Sequence, residues 1–122
     1  SIVDESTIQK LKSISLEKYE IIKKNIKELD KKGRILACLK LSTIGEGIDG
    51  LTTSEINRCI LELFRISPLH PATLSNLMIR LEKEGLVYSK TISSGKRPSR
   101  KYILLESGEE NLKSVTETLV EN

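Results

Sequence analysis

From Gly85 to Glu106 the chain reads Gly-Leu-Val-Tyr-Ser-Lys-Thr-Ile-Ser-Ser-Gly-Lys-Arg-Pro-Ser-Arg-Lys-Tyr-Ile-Leu-Leu-Glu, with no carboxylate between Glu84 and Glu106. Two apolar-alternating runs, 86–92 and 102–105, flank a turn rich in Gly, Pro and Ser. Alternation of period two around such turn residues predicts a β-hairpin. Gly95 permits the turn and Pro98 stiffens it. The turn also carries Lys96, Arg97, Arg100 and Lys101. Clustered cations without an acid repel one another unless an anion meets them. The net charge of the whole chain is only +3, so the placement of the charge matters more than its total.

The hairpin follows helical patterns directly. Leu74, Leu77, Met78 and Leu81 repeat at i, i+3, i+4 and i+7, which predicts a helix over 71–84 that ends at Gly85. Pro71 suits its first position, and His70 is expected to cap or line the turn before it. A preceding helix over 53–65 buries Ile56, Cys59, Ile60, Leu63 and Phe64, opened by the capping box Thr52-Thr53-Ser54-Glu55. Leu51-Thr52 reads as a short strand, and a helix over 34–43 turns Ile35, Leu36, Cys38 and Leu39 inward. Upstream, Tyr19, Ile22, Ile26 and Leu29 form a stripe over a helix at 5–31, continued by Ile8 and Leu11 and closed by Lys31-Lys32-Gly33. The stripe fits a second subunit or the chain's own domain. Ser107-Gly-Glu-Glu110 reads as another capping box, opening a last helix with Leu112, Val115 and Leu119 on one side.

The fold class is therefore mainly α with a small β-hairpin (α+β). An N-terminal helical arm spans 1–32, a central unit 33–106 and a C-terminal helix 107–122. At 122 residues the chain can bury an ordinary core. No signal peptide is visible, and no apolar run approaches the ~20 residues needed to span a membrane. A cytoplasmic, nucleoid-associated protein is expected, without a membrane partner. Cys38 and Cys59 fall at apolar helical positions and read as reduced, buried thiols.

Catalysis and cofactor binding find little support. His70 is the single histidine, so neither a His-based triad nor a His-rich metal site can be assembled. Gly45-Glu-Gly-Ile-Asp-Gly50 matches the dinucleotide-binding spacing literally, but a helix precedes it, and Glu46 and Asp49 would repel phosphates. It reads as a connector, and no enzyme, metal or cofactor is expected.

The helices 53–65 and 71–84, joined by a tight turn, make a helix-turn-helix candidate. With its apolar residues inward, the second helix presents Thr73, Ser75, Asn76, Arg80 and Lys83 outward. Asn76 suits a bidentate bond to adenine, and Arg80 suits guanine or a phosphate. Thr53 and Ser54 could hold a phosphate through hydroxyls and free amides.

These residues resemble a known family. Thr73-Leu74, Arg80-Leu81-Glu82, Glu84-Gly85-Leu86, Gly95-Lys96, Arg100-Lys101-Tyr102 and Gly108 match the pattern of PadR-like winged helix-turn-helix regulators over about 33–112. Ser75-Asn76 stands where PadR-like proteins usually carry Tyr-Pro, and is a more MarR-like feature. The resemblance implies a winged helix-turn-helix with an N-terminal extension and a C-terminal helix. It implies a sequence-specific binder of double-stranded DNA, usually a homodimer, acting as a transcriptional regulator, most often a repressor. Lys96, Arg97, Ser99, Arg100 and Lys101 would then be wing contacts. Ile8, Leu11, Tyr19, Ile22, Ile26 and Leu29 are the favoured dimer stripe. The alternatives are a partition or chromatin-organising protein that spreads on DNA, and a winged helix used for protein contact. The sequence leaves any small-molecule effector unspecified.

Overall fold

The computed structural model describes residues 3–14, 22, 24–94 and 97–121. Among them are five helices and one hairpin: α1 (Glu5–Lys12), α2 (Lys31–Ile44), α3 (Thr53–Glu62), α4 (Pro71–Lys83), β1 (Val87–Ser94), β2 (Arg97–Leu104) and α5 (Glu106–Glu121). This is the α+β architecture expected from the sequence. No described helix is long and apolar enough to cross a membrane.

The middle of the molecule is α2. Ile35, Leu36, Ala37, Cys38, Leu39 and Leu41 have no accessible surface, because α3, α5 and β2 all pack against this one helix. A helix apolar on most of its circumference needs such a central place. Asp30 caps it, accepting from Gly33 N at 2.8 Å. Lys31-Lys32-Gly33 is thus the first turn of α2 and not the end of an upstream helix. Cys38 and Cys59 are free thiols inside the core, and burial pushes the Cys38 thiol well up from its ordinary pKa.

The N-terminal stripe also differs from expectation. The first helix stops at Lys12, with Ser13 as its C-cap; residues 22, 24 and 25 are helical again, and a turn follows at 26–28. Ile8, Leu11, Ile22, Ile26 and Leu29 are all buried in the chain's own core. The stripe therefore faces inward, which corrects the expectation of a second subunit there; Tyr19 lies outside the described residues. Two ties dock α1 on α3. Glu55, wholly buried, accepts Thr52 N on one carboxylate oxygen and Asp4 N on the other, each at 2.9 Å. The capping box read from the sequence is present and holds a residue 51 positions away as well. On the surface, Arg58 grips Glu5 with both terminal nitrogens, at 2.7 and 3.1 Å, and pairs with Glu62, which Lys12 also reaches at 2.9 Å.

The strands pair antiparallel from Val87↔Leu104 to Ser94↔Arg97. Arg97, Ser99, Arg100 and Lys101 therefore sit in β2, and the loop is shorter than the sequence suggested. Leu51 adds a one-residue third strand, exchanging backbone bonds with Tyr102 at 3.1 and 2.8 Å. Ser107 is not a cap: it lies inside α5 and its hydroxyl donates to Gly85 O at 2.5 Å. One turn of α5 crosses the chain so closely that a Cβ on Gly108 would stand 2.2 Å from Leu86 O.

Two outcomes follow for stability. Gly108→Ala should lower it by about 1–3 kcal/mol in urea titration, the usual cost of overpacking a contact that cannot relax. The Glu62 carboxyl is held down to about 2 by hydrogen bonds first from Arg58 and then from Lys12. Its folded value lies below the ordinary value of 4.5, so its contribution is complete above that pH and fades as pH falls towards 2. The thermal midpoint should drop over this window, and less steeply in Glu62→Gln.

Candidate nucleic-acid interface

Three local devices fix the turn between α3 and α4. Phe64 N and Leu63 N both reach back to Cys59 O, and Arg65 then takes a positive φ of 59° that stops the helix. The amide of Asn57 spans the turn: its Nδ2 donates to Leu69 O at 2.8 Å and its Oδ1 accepts from Leu69 N at 2.9 Å. His70 Nδ1 accepts from Ala72 N at 3.1 Å, and Pro71 occupies the first helical position. The expected roles of His70 and Pro71 hold. Asn57 was missed, because a side chain bonded across twelve residues leaves no local pattern.

The inner face of α4 is Leu74, Met78 and Leu81, all buried, with Leu77 half-buried. Its outer face carries Ser75, Asn76, Arg80 and Lys83, all exposed, while Thr73 is half-buried at the edge. Ile79 was not singled out from the sequence. It is 55% exposed and, one turn beyond Asn76, lies near the middle of the outer face. Arg80 also borders an open groove of about 530 Å³ shared with Lys31, Lys32 and Arg34. Lys32 in that groove is paired with Glu84 at 2.6 Å. Thr53 and Ser54 are half-buried in the first turn of α3.

The hairpin is set directly against α4. Gly85 takes a φ of 75° and Leu86 N bonds back to Leu81 O at 3.0 Å, which closes the helix and releases the chain into β1. Ser89 Oγ then donates back to the Glu82 carboxylate at 2.9 and 3.0 Å. On β2, Arg100 is exposed opposite Thr91, and Ser99 is half-buried opposite Ile92. Lys101 differs: its amine is bound to Asp49 at 2.8 Å and the side chain is only 17% exposed. Gly95, Lys96 and the side chain of Arg97 lie outside the described residues. Lys12, Lys32, Lys40, Arg58, Lys90 and Lys101 each have a carboxylate partner. Among the described residues Arg80, Lys83 and Arg100 have none, and neither do Lys10, Lys24, Lys27, Lys31, Arg34, Arg65 and Lys113.

The connector 45–50 is a loop, with Gly47 and Gly50 at positive φ. No three His, Cys, Asp or Glu side chains are grouped to hold a metal among the described residues.

Removing the Asn57 amide should expose how the turn is held. Asn57→Ala leaves the Leu69 N–H and C=O without their partner, at a cost of about 1–3 kcal/mol in chemical denaturation. Asn57→Asp keeps the acceptor but loses the donor, and should also destabilise.

No family model and no curated protein matches this sequence. Solved structures do. A PadR-like transcription factor from Bacteroides fragilis is similar at a TM-score of 0.59 and 24% identity, over 80% of this chain and 90% of that one. A PadR family transcriptional regulator from Eggerthella lenta is similar at 0.60 and 20% identity, over 86% and 88%. A MepR mutant from S. aureus, bound to an oligodeoxyribonucleotide, is similar at 0.56 and 21% identity, over 98% and 79%. At such identities the likeness establishes the fold alone: a winged helix, with β1–β2 as the wing.

Proposed function

We propose that the protein is a sequence-specific double-stranded DNA-binding transcriptional regulator, with α4 entering the major groove and the hairpin lying along the flanking phosphates. The observation that carries the reading is local. Arg80 and Lys83 on the outer face of α4 and Arg100 on the adjoining hairpin are exposed and have no carboxylate partner among the described residues. One helix face and the wing therefore offer cations to a groove and its flanking phosphates. The similar MepR structure bound to an oligodeoxyribonucleotide supports DNA as the partner.

Roles follow from chemistry. Asn76 pairs with adenine N6 and N7, Ile79 packs on thymine methyls, and Arg80 takes guanine or a phosphate. Thr53, Ser54 and Thr73 serve the phosphates, with Ser75 beside Asn76 at the base edges. Arg100 holds the backbone together with the wing residues Lys96, Arg97 and Ser99. Repression by occupying a promoter is the regulatory mode that this arrangement suits. The partner copy of a homodimer lies against α5, since the N-terminal stripe is buried and Val115, a turn beyond buried Leu112, is 40% exposed. Val115→Glu should then convert dimer to monomer in light scattering.

Titration of a duplex selected from random DNA, repeated at several salt concentrations, tests the reading. Arg100→Ala should flatten the log–log salt slope by about 0.9, one released counterion's share. Asn76→Ala should leave that slope in place and lose about 1–3 kcal/mol of discrimination at one base pair. No retention on any duplex at low salt would overturn the proposal.

A further inference from the structure

The register of the wing places Lys90 directly opposite Lys101. Like charges so placed weaken a two-stranded ladder. Between them stands Asp49, from the loop joining α2 to α3. One of its oxygens accepts from Lys90 at 3.2 Å and the other from Lys101 at 2.8 Å. These bonds, led by that from Lys101, hold the Asp49 carboxyl at about 2.

The support beneath Asp49 is rigid. The next residue, Gly50, has a φ of 122° and passes so near β2 that a Cβ would lie 3.0 Å from Tyr102 O. Leu51 then makes the backbone pair with Tyr102. On the other side Lys10 donates to Gly47 O at 3.1 Å and ties the loop to α1. Asp49 is 66% exposed, yet its backbone is fastened to the body of the domain within two residues in either direction.

We propose that Asp49 is the positioning residue of the wing: its carboxylate clasps Lys90 and Lys101 on opposite strands and sets the angle at which the hairpin presents Arg100. Lys101 then acts through Asp49 and not on the nucleic acid. The inference rests on the DNA-binding reading for its consequence, but the clasp itself is a property of the free protein.

The sign of one substitution separates this role from simple electrostatics. Taking a negative charge away from a DNA-binding face should tighten binding through the long-range field. If Asp49 positions the wing, Asp49→Asn should instead weaken binding to the selected duplex by about 10-fold, within the range of coupled neighbours. Adding Lys90→Met to Asp49→Asn removes the exposed repulsion and should recover most of the loss. Lys101→Ala should leave the salt slope unchanged, whereas Arg100→Ala flattens it. Binding by Asp49→Asn as tight as wild type or tighter, absence of recovery in the double variant, or a flattened slope in Lys101→Ala would each overturn the proposal. If the wild-type protein binds no duplex, the DNA-binding reading fails, and amide exchange in the free protein decides the clasp. Faster exchange across 87–94 and 97–104 in Asp49→Asn, with α4 unchanged, supports it; unchanged exchange in the hairpin overturns it.

Discussion

The dipeptide Gly85–Leu86 is the junction through which the helices, the hairpin and the last helix are fixed to one another. Gly85 adopts a left-handed φ that an L side chain resists, and this turns the chain out of α4 within one residue. Leu86 then uses both backbone groups: its N–H closes α4 on Leu81 O, and its carbonyl accepts from Leu105 N at 3.1 Å, where the hairpin returns. Ser107 reaches Gly85 O, and Gly108 lets α5 lie against Leu86 O. Four segments thus share two peptide units. Few other arrangements of these backbone groups leave all of them bonded, and unbonded buried groups are costly. These hydrogen bonds, rather than loop length, fix where the hairpin leaves α4.

Electrostatics add a second layer to that geometry. Carboxylates hold several cations that tie elements together: Glu5 and Glu62 on Arg58, Glu84 on Lys32, Glu109 on Lys40, Asp49 on the two wing lysines. Exposed pairs of this kind add little stability one by one. Their greater effect is on distribution. Among the described residues Arg80, Lys83 and Arg100 keep their charge unpaired on the outer face of α4 and the wing, so a net charge of only +3 still leaves cations exposed there.

Much of this was legible in the chain because it is local. The Thr52–Glu55 box, the Pro71 start, the Leu74–Leu81 stripe and the two alternating runs each lie within one or two turns, where period and spacing carry the information. What was not legible depends on partners far away in sequence. The stripe of Ile8, Leu11, Ile22, Ile26 and Leu29 shows that something apolar covers it, and spacing is the same whether that cover is a second subunit or the chain's own core. Lys31-Lys32-Gly33 reads as a helix end until Asp30 is seen capping the next helix. Lys101 looked like a wing cation because Asp49 lies 52 positions upstream. Asn57, bonded to a turn still to come, has the look of any polar surface residue.

The consequence for recognition lies in what is already ordered before a ligand arrives. Both ends of α4 are tied, by His70 and Asn57 at its start and by Gly85–Leu86 at its finish, and the wing is tied to α4 through Ser89 and Glu82. The entropy of ordering these elements is thus met on folding, and association loses less of its gross energy to immobilising them. On the proposed reading, counterion release at the cations would supply affinity that is blind to sequence, and discrimination would fall to Ser75, Asn76 and Ile79 on the outer face of α4. A helix tied at both ends would not tilt to accommodate a mismatched base without breaking bonds at the junction. Selectivity would then be a product of the scaffold as much as of the residues that touch the bases.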